Sequence, residues 1–211
     1  MCHFVKFSAI YINKPSQFIE GIKSISIFCL MDMSAIWGAD ICFVIADTDD
    51  PLLPDCISML IRQRIIPIIL RHKNFDELMP TIEQVNHIFY REESEQQEIM
   101  RLLVDVIDKK GVMSIDFNDL LSVISPTLTL NYCAFCGSID DVTADITHYM
   151  ESIFPIKSGL FVVESNETIE FLGVMNIFSL LKICQNDDSD VRISHILNND
   201  LKMIKTHLIY F

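Results

Sequence analysis

The chain is poor in glycine, with only six among 211 residues, and its 16 lysines and arginines are outnumbered by 29 aspartates and glutamates. A loop that cradles phosphate needs backbone N–H groups free to point at the anion and no side chain in the way, which is glycine's role. So few glycines leave no run to supply one. The net charge of −13 and the lack of a basic stripe argue against a phosphate-backbone ligand, which needs clustered cations, so no nucleic-acid partner is expected and the surface reads as solvated and acidic. An uninterrupted apolar span is also missing. Residues 25–46 are broken by Asp32 and Asp40, whereas a bilayer needs about 20 largely uncharged residues, so no membrane insertion is expected. The opening Met1-Cys2-His3-Phe4-Val5-Lys6-Phe7 lacks a secretory cleavage pattern. Seven cysteines, an odd number, suit reduced thiols and a cytoplasmic location better than a disulfide framework. No zinc or cofactor set is expected. Cys133-Ala134-Phe135-Cys136 has no second pair at zinc-site spacing, the six histidines are scattered, and no Gly-x-Ser-x-Gly elbow occurs.

What is present is a proper core, with hydrophobic residues at 50%. Phe7–Ile12 and 25–30 read as strands. The run Ile41–Ala46 is continuously apolar, the pattern of a strand buried on both faces, and is followed by a helix over Asp55–Arg64 and a second buried strand over Ile65–Leu70. That is a βαβ unit of a parallel sheet. A helix is expected over 76–88, and a longer one over Glu92–Lys109 from the spacing of Ile99, Leu102, Leu103, Val106 and Ile107. The second half alternates: helix to about 125, strand 127–135, helix 140–154, strand Gly159–Glu164, helix 171–185. It closes with strands Val191–Leu197 and Leu201–Tyr210, read as a pair joined by an Asn198-Asn199-Asp200 turn.

Two stretches bear on chemistry. The first strand of the βαβ unit runs into Asp47-Thr48-Asp49-Asp50-Pro51-Leu52-Leu53-Pro54-Asp55, which has no glycine, two prolines without an N–H and four carboxylates. Unit charges a few ångströms apart repel by several kcal/mol at intermediate dielectric, so this loop opposes a polyphosphate. It reads as an acidic turn, with a cation bridge to phosphate as the other option. The second stretch, Ser114-Ile115-Asp116-Phe117-Asn118-Asp119-Leu120, sets two carboxylates three apart at the start of a helix. There they suit a cap and first-turn acid or a functional pair.

Ser114 to Leu120 resembles the Asn-Val-Asp-Phe-Ala-Asp-Val synergy loop of FtsZ, in the tubulin superfamily. Gly38-Ala39-Asp40-Ile41-Cys42-Phe43 resembles that family's Gly-Ala-Asp-Met-Val-Phe strand, and Tyr132-Cys133-Ala134-Phe135-Cys136-Gly137-Ser138 and Gly159-Leu160-Phe161-Val162-Val163 add to the likeness. The likeness runs from about Gly38 to Phe211 and is strong from Ile99 onward. It implies an α/β, truncated tubulin/FtsZ-like fold: a partial parallel-sheet remnant of the nucleotide domain over 1–91, a central helix over 92–112, and an α+β activation domain over 113–211. It also implies that Asp116 and Asp119 match two aspartates that act in trans on the GTP of the next subunit. Ser114, Asp116, Phe117, Asn118 and Asp119 would meet that partner. Ser114 stands where the family has Asn. The glycine-rich phosphate loops have no counterpart, and the family's guanine-contacting Asp falls on Ser94, with Phe89 as a neighbouring aromatic. The resemblance therefore implies a chain without its own GTP pocket or bound cofactor, partnered by FtsZ or another FtsZ-like subunit. The alternative is a divergent GTPase whose nucleotide site is completed in trans or by a metal.

Overall fold

A computed structural model describes residues 5–27, 36, 38–46, 50–73, 85–109, 111–124, 129–153, 155–167, 171–183 and 185–211. It is mixed α/β, as expected, and divides into two compact units inside one helix, between Val104 and Asp105.

The first unit is built on parallel strands β1 (Phe7–Ile12), β2 (Ile22–Ile27), β3 (Ile41–Ile45), β4 (Ile66–His72) and β5 (Asn86–Tyr90), in spatial order β2-β1-β3-β4-β5. Strands β1 and β3 are buried at every position, which explains the unbroken apolar sequence of β3 and the nearly apolar one of β1, where only Ser8 and the Tyr11 hydroxyl are polar. Helix α1 (Leu53–Arg62) returns the chain from β3 to β4 with Leu53, Cys56, Ile57 and Leu60 turned inward at helical spacing. Its end is set by Arg64, whose φ of 61° is left-handed. The Arg64 and Ile65 amides bond back to the carbonyls of Ile61 and Leu60 at 3.0 Å each, a Schellman closure that glycine usually supplies. Helix α2 (Glu93–Asp108) follows β5.

The second unit comprises α3 (Phe117–Val123), β6 (Thr129–Gly137), α4 (Ile139–Ile153), β7 (Ile156–Ser165), α5 (Phe171–Ile183), β8 (Gln185–Leu197) and β9 (Ile204–Tyr210). Its strands run β6-β9-β7-β8, with β9 antiparallel to both neighbours and β7 parallel to β8. One sheet face carries Phe161, Val163, Ile193 and Leu208 against Val142, Ile146 and Met150 of α4 and Val174, Ile177, Phe178 and Leu181 of α5.

Three expectations need correction. The second strand is Ile22–Ile27 rather than 25–30, and 28–30 lie outside the described residues. Of the helix expected over 76–88, residues 76–84 also lie outside them, but Asn86–Ile88 belong to strand β5. There the β-prone Ile88-Phe89-Tyr90 run pairs in parallel with β4. The closing strands are not a hairpin, because β7 lies between β8 and β9. The local turn signal at Asn198 is real, but Asn198 is fastened to the end of β7: its N–H donates to Ser165 O at 2.8 Å and its Nδ2 to Glu164 Oε2 at 2.9 Å. The connection thus arches over β7.

Candidate functional site

The loop between α2 and α3 is held at both ends within the second unit. At its stem, a Cβ on Gly111 would lie 2.0 Å from the His195 carbonyl oxygen, so only glycine permits this approach to β8. The Val112 N–H donates to His195 Nδ1 at 3.1 Å, and the His195 N–H donates to Met113 O at 2.7 Å, with Ser194 Oγ donating to the same carbonyl at 3.3 Å. The stem therefore runs along the outer edge of β8. At its far end, Ile115, Leu120 and Val123 are buried.

Between these anchors Asp116 is the N-cap of α3, with extended backbone (φ −96°, ψ 178°). Its Oδ1 accepts from the Asp119 N–H at 2.8 Å, and Asp119 Oδ2 accepts from the Asp116 N–H at 3.1 Å, a reciprocal capping box. Asp119 also lies 3.2 Å from Arg192 Nε on β8, out of line for a hydrogen bond, while Arg192 Nη1 reaches Asp190 at 3.0 Å. The two carboxylates are thus unequal. Asp119 is half-buried and engaged with a backbone amide and a guanidinium. Asp116 is exposed, and its Oδ2 has no partner among the described residues. Ser114 and Asn118 are exposed beside it and Phe117 is half-buried. This surface presents one available carboxylate oxygen and short polar side chains, suited to accepting hydrogen bonds from a partner or an ordered water.

His195, 2% exposed, had no sequence signal, being 83 residues from Val112. Burial lowers its pKa from 6.5, because a low-dielectric setting disfavours the charged form. The ring is therefore neutral near pH 7. Since Nδ1 accepts from Val112, Nε2 carries the proton and donates to Ser165 Oγ, 2.8 Å away. A second buried set also escaped the sequence. His207 Nε2 lies 2.8 Å from Glu164 Oε1, both side chains fully buried but out of line for a hydrogen bond, and His207 Nδ1 lies 2.9 Å from Tyr132 Oη. Register puts these residues on neighbouring strands, where sequence spacing says nothing.

In the first unit, Asp47 and Asp49 lie outside the described residues. Asp50 has both oxygens occupied: Oδ1 accepts from the Leu52 N–H at 2.9 Å and Oδ2 from Asn13 Nδ2 at 2.7 Å. It fastens the end of β1 to the turn before α1, whose first turn holds a proline and Asp55. Ser94 is exposed in the first turn of α2, and Phe89 is half-buried in β5. Cys133 is buried and Cys136 exposed, on opposite sides of β6 as alternation requires. Among the described residues no group of three His, Cys, Asp or Glu side chains could hold a metal, and no helix is long and apolar enough to cross a membrane.

No protein-family model matches the sequence, and no curated protein matches it. Among solved structures, an empty FtsZ dimer from M. jannaschii matches with a TM-score of 0.72 at 9% identity, over 99% of this chain and 88% of that one. A mutant of the M. jannaschii protein gives 0.74 at 10% identity, over 98% and 90%. This chain has the FtsZ fold. The FtsZ-like architecture also relates it to TubZ of Bacillus thuringiensis serovar israelensis, solved as a GTPγS-form protofilament, with a TM-score of 0.56, 11% identity, and coverage of 82% of this chain and 61% of that one. Identities this low make the fold the shared property, so any role for the FtsZ-like loop rests on the local geometry of residues 111–120.

Proposed function

We propose that this chain docks through Ser114, Asp116, Phe117, Asn118 and Asp119 on a nucleotide-bearing FtsZ or FtsZ-like subunit, and so modulates the filaments of cell division. The observation that carries this reading is the posture of the loop, clamped at its stem on β8 and at α3 by the capping box, with Ser114, Asp116 and Asn118 outward. Such a contact is head-to-tail and heterologous. Asp116 is the residue best placed to act in trans on the partner's GTP, by accepting a hydrogen bond from the attacking water. The chain contributes no GTP pocket of its own in this reading. Support comes from the glycine-free sequence after β3 and from Asp50, whose carboxylate is spent on the turn.

The test is light scattering and GTP turnover of authentic FtsZ with substoichiometric amounts of this protein, beside GTP binding to the protein alone. Altered polymerisation without GTP binding by the chain supports the proposal. Saturable GTP binding by the isolated chain would replace it with the divergent-GTPase reading, and no effect on FtsZ would remove the docking role.

A further inference from the structure

The stem of the loop depends on a titratable side chain. His195 faces Ser165 of β7, the Phe178 ring of α5 at 6.3 Å, and the backbone of Gly111, Val112 and Met113. None of these groups is ionisable, so nothing among them compensates a charge on the ring. The stem's two ladder-like contacts differ in kind. The bond from the His195 N–H to Met113 O belongs to the backbone and does not depend on the side chain. The bond from the Val112 N–H to Nδ1 requires an acceptor, which imidazole provides only when neutral.

We propose that His195 is the positioning residue of the docking loop: its neutral ring latches the stem onto β8, and protonation at Nδ1 sets two donors face to face and unlatches it. This rests on the docking reading for its functional consequence, but the latch is a property of the isolated chain and is measured there. Taking a proton from solvent turns Nδ1 from acceptor to donor, while Nε2–H keeps its bond to Ser165 Oγ. The ring thus stays anchored on β7 while the loop stem loses its hold. Burial favours the neutral form, which places the change on the acid side of an ordinary histidine.

The experiment is amide hydrogen exchange at Val112, corrected for intrinsic rates, across a pH series in the wild type and two variants. His195→Asn places a carboxamide oxygen near the position of Nδ1 and cannot titrate. His195→Phe fills the space without an acceptor. Wild-type protection at Val112 is expected to fall as pH drops to the acid side of an ordinary histidine's titration. The Asn variant should keep protection at every pH. The Phe variant should lose about tenfold throughout, the loss of one hydrogen bond of ordinary net strength. A purely structural histidine would lower protection in both variants alike and leave no pH step for Asn to abolish. That result would overturn the proposal, as would unchanged Val112 exchange in the Phe variant. If the latch behaves as stated but FtsZ scattering is unaffected by wild type or Asn variant at any pH, the docking role fails and the latch stands.

Discussion

The unequal surroundings of the two loop carboxylates make Asp116 the sharpest point of attack. Replacing Asp116 by Ala removes the side-chain acceptor for the Asp119 N–H but leaves the Asp116 N–H bonded to Asp119. One half of the capping box goes, at a cost of about 1 kcal/mol. Asp119→Ala removes the other half and frees Arg192 from a pair whose side chains are 38% and 39% exposed. Because solvent screens such a pair, it adds no more than about 0.5 kcal/mol. The two losses share one motif and should not add. The decisive variant is Asp116→Asn, since asparagine caps as well as aspartate and should cost only a few tenths of a kcal/mol while deleting the charge. Urea unfolding midpoints and the effect on FtsZ light scattering should then separate. Asn should be as stable as the wild type yet weak on filaments, and Ala should be deficient in both. An Asn variant with full effect on filaments would refute a role for the carboxylate, and an Ala variant of unaltered stability would refute the capping box.

Further outcomes follow from other parts of the molecule. Because His195 has a lowered pKa in the folded chain, the unfolded chain binds its proton first. Its contribution to stability is therefore complete above about pH 6.5 and falls as pH drops toward the folded value, by up to ~1.4 kcal/mol per pH unit. Subtracting the His195→Asn unfolding curve from that of the wild type should isolate this slope. Glu164→Ala should cost about 1–3 kcal/mol in chemical denaturation, because it leaves the part-buried Asn198 Nδ2 without its acceptor and removes the carboxylate 2.8 Å from the buried His207 Nε2. Arg64→Gly should raise stability by about 0.5–1 kcal/mol by relieving the left-handed residue that closes α1. Gly111→Ala should cost about 1–3 kcal/mol as the stem is forced away from the His195 carbonyl, and exchange at Val112 should rise with it.

The elements legible from sequence were those whose burial leaves a local trace. Strand β3 is buried on both faces and spells a continuous apolar run, β1 is buried likewise with Ser8 interrupting the run, and α2 and α4 show their buried stripes at helical spacing. Strand β5 and the topology around β7 were misread because pairing there is decided by strands remote in sequence. The Asn198 turn looks the same whether its arms pair with each other or straddle a third strand. The site divides the same way. Asp116 and Asp119 are three apart and announce a cap. His195 joins the loop only through the register of β8, and Glu164 meets His207 only because β9 runs back beside β7.

The insertion of β9 between β6 and β7 makes the facing flanks of both strands depend on a single later strand. A chain cut before Ile204 still holds β6, β7 and β8, but it exposes two unsatisfied strand flanks where β9 belongs. Those flanks are sticky toward other chains, and the contacts that cover them span long stretches of chain, as from Asn131 to Tyr210, a slow kind to form. A variant cut before Ile204 should therefore aggregate, whereas one cut inside α4 leaves β7 unmade and no such gap to fill.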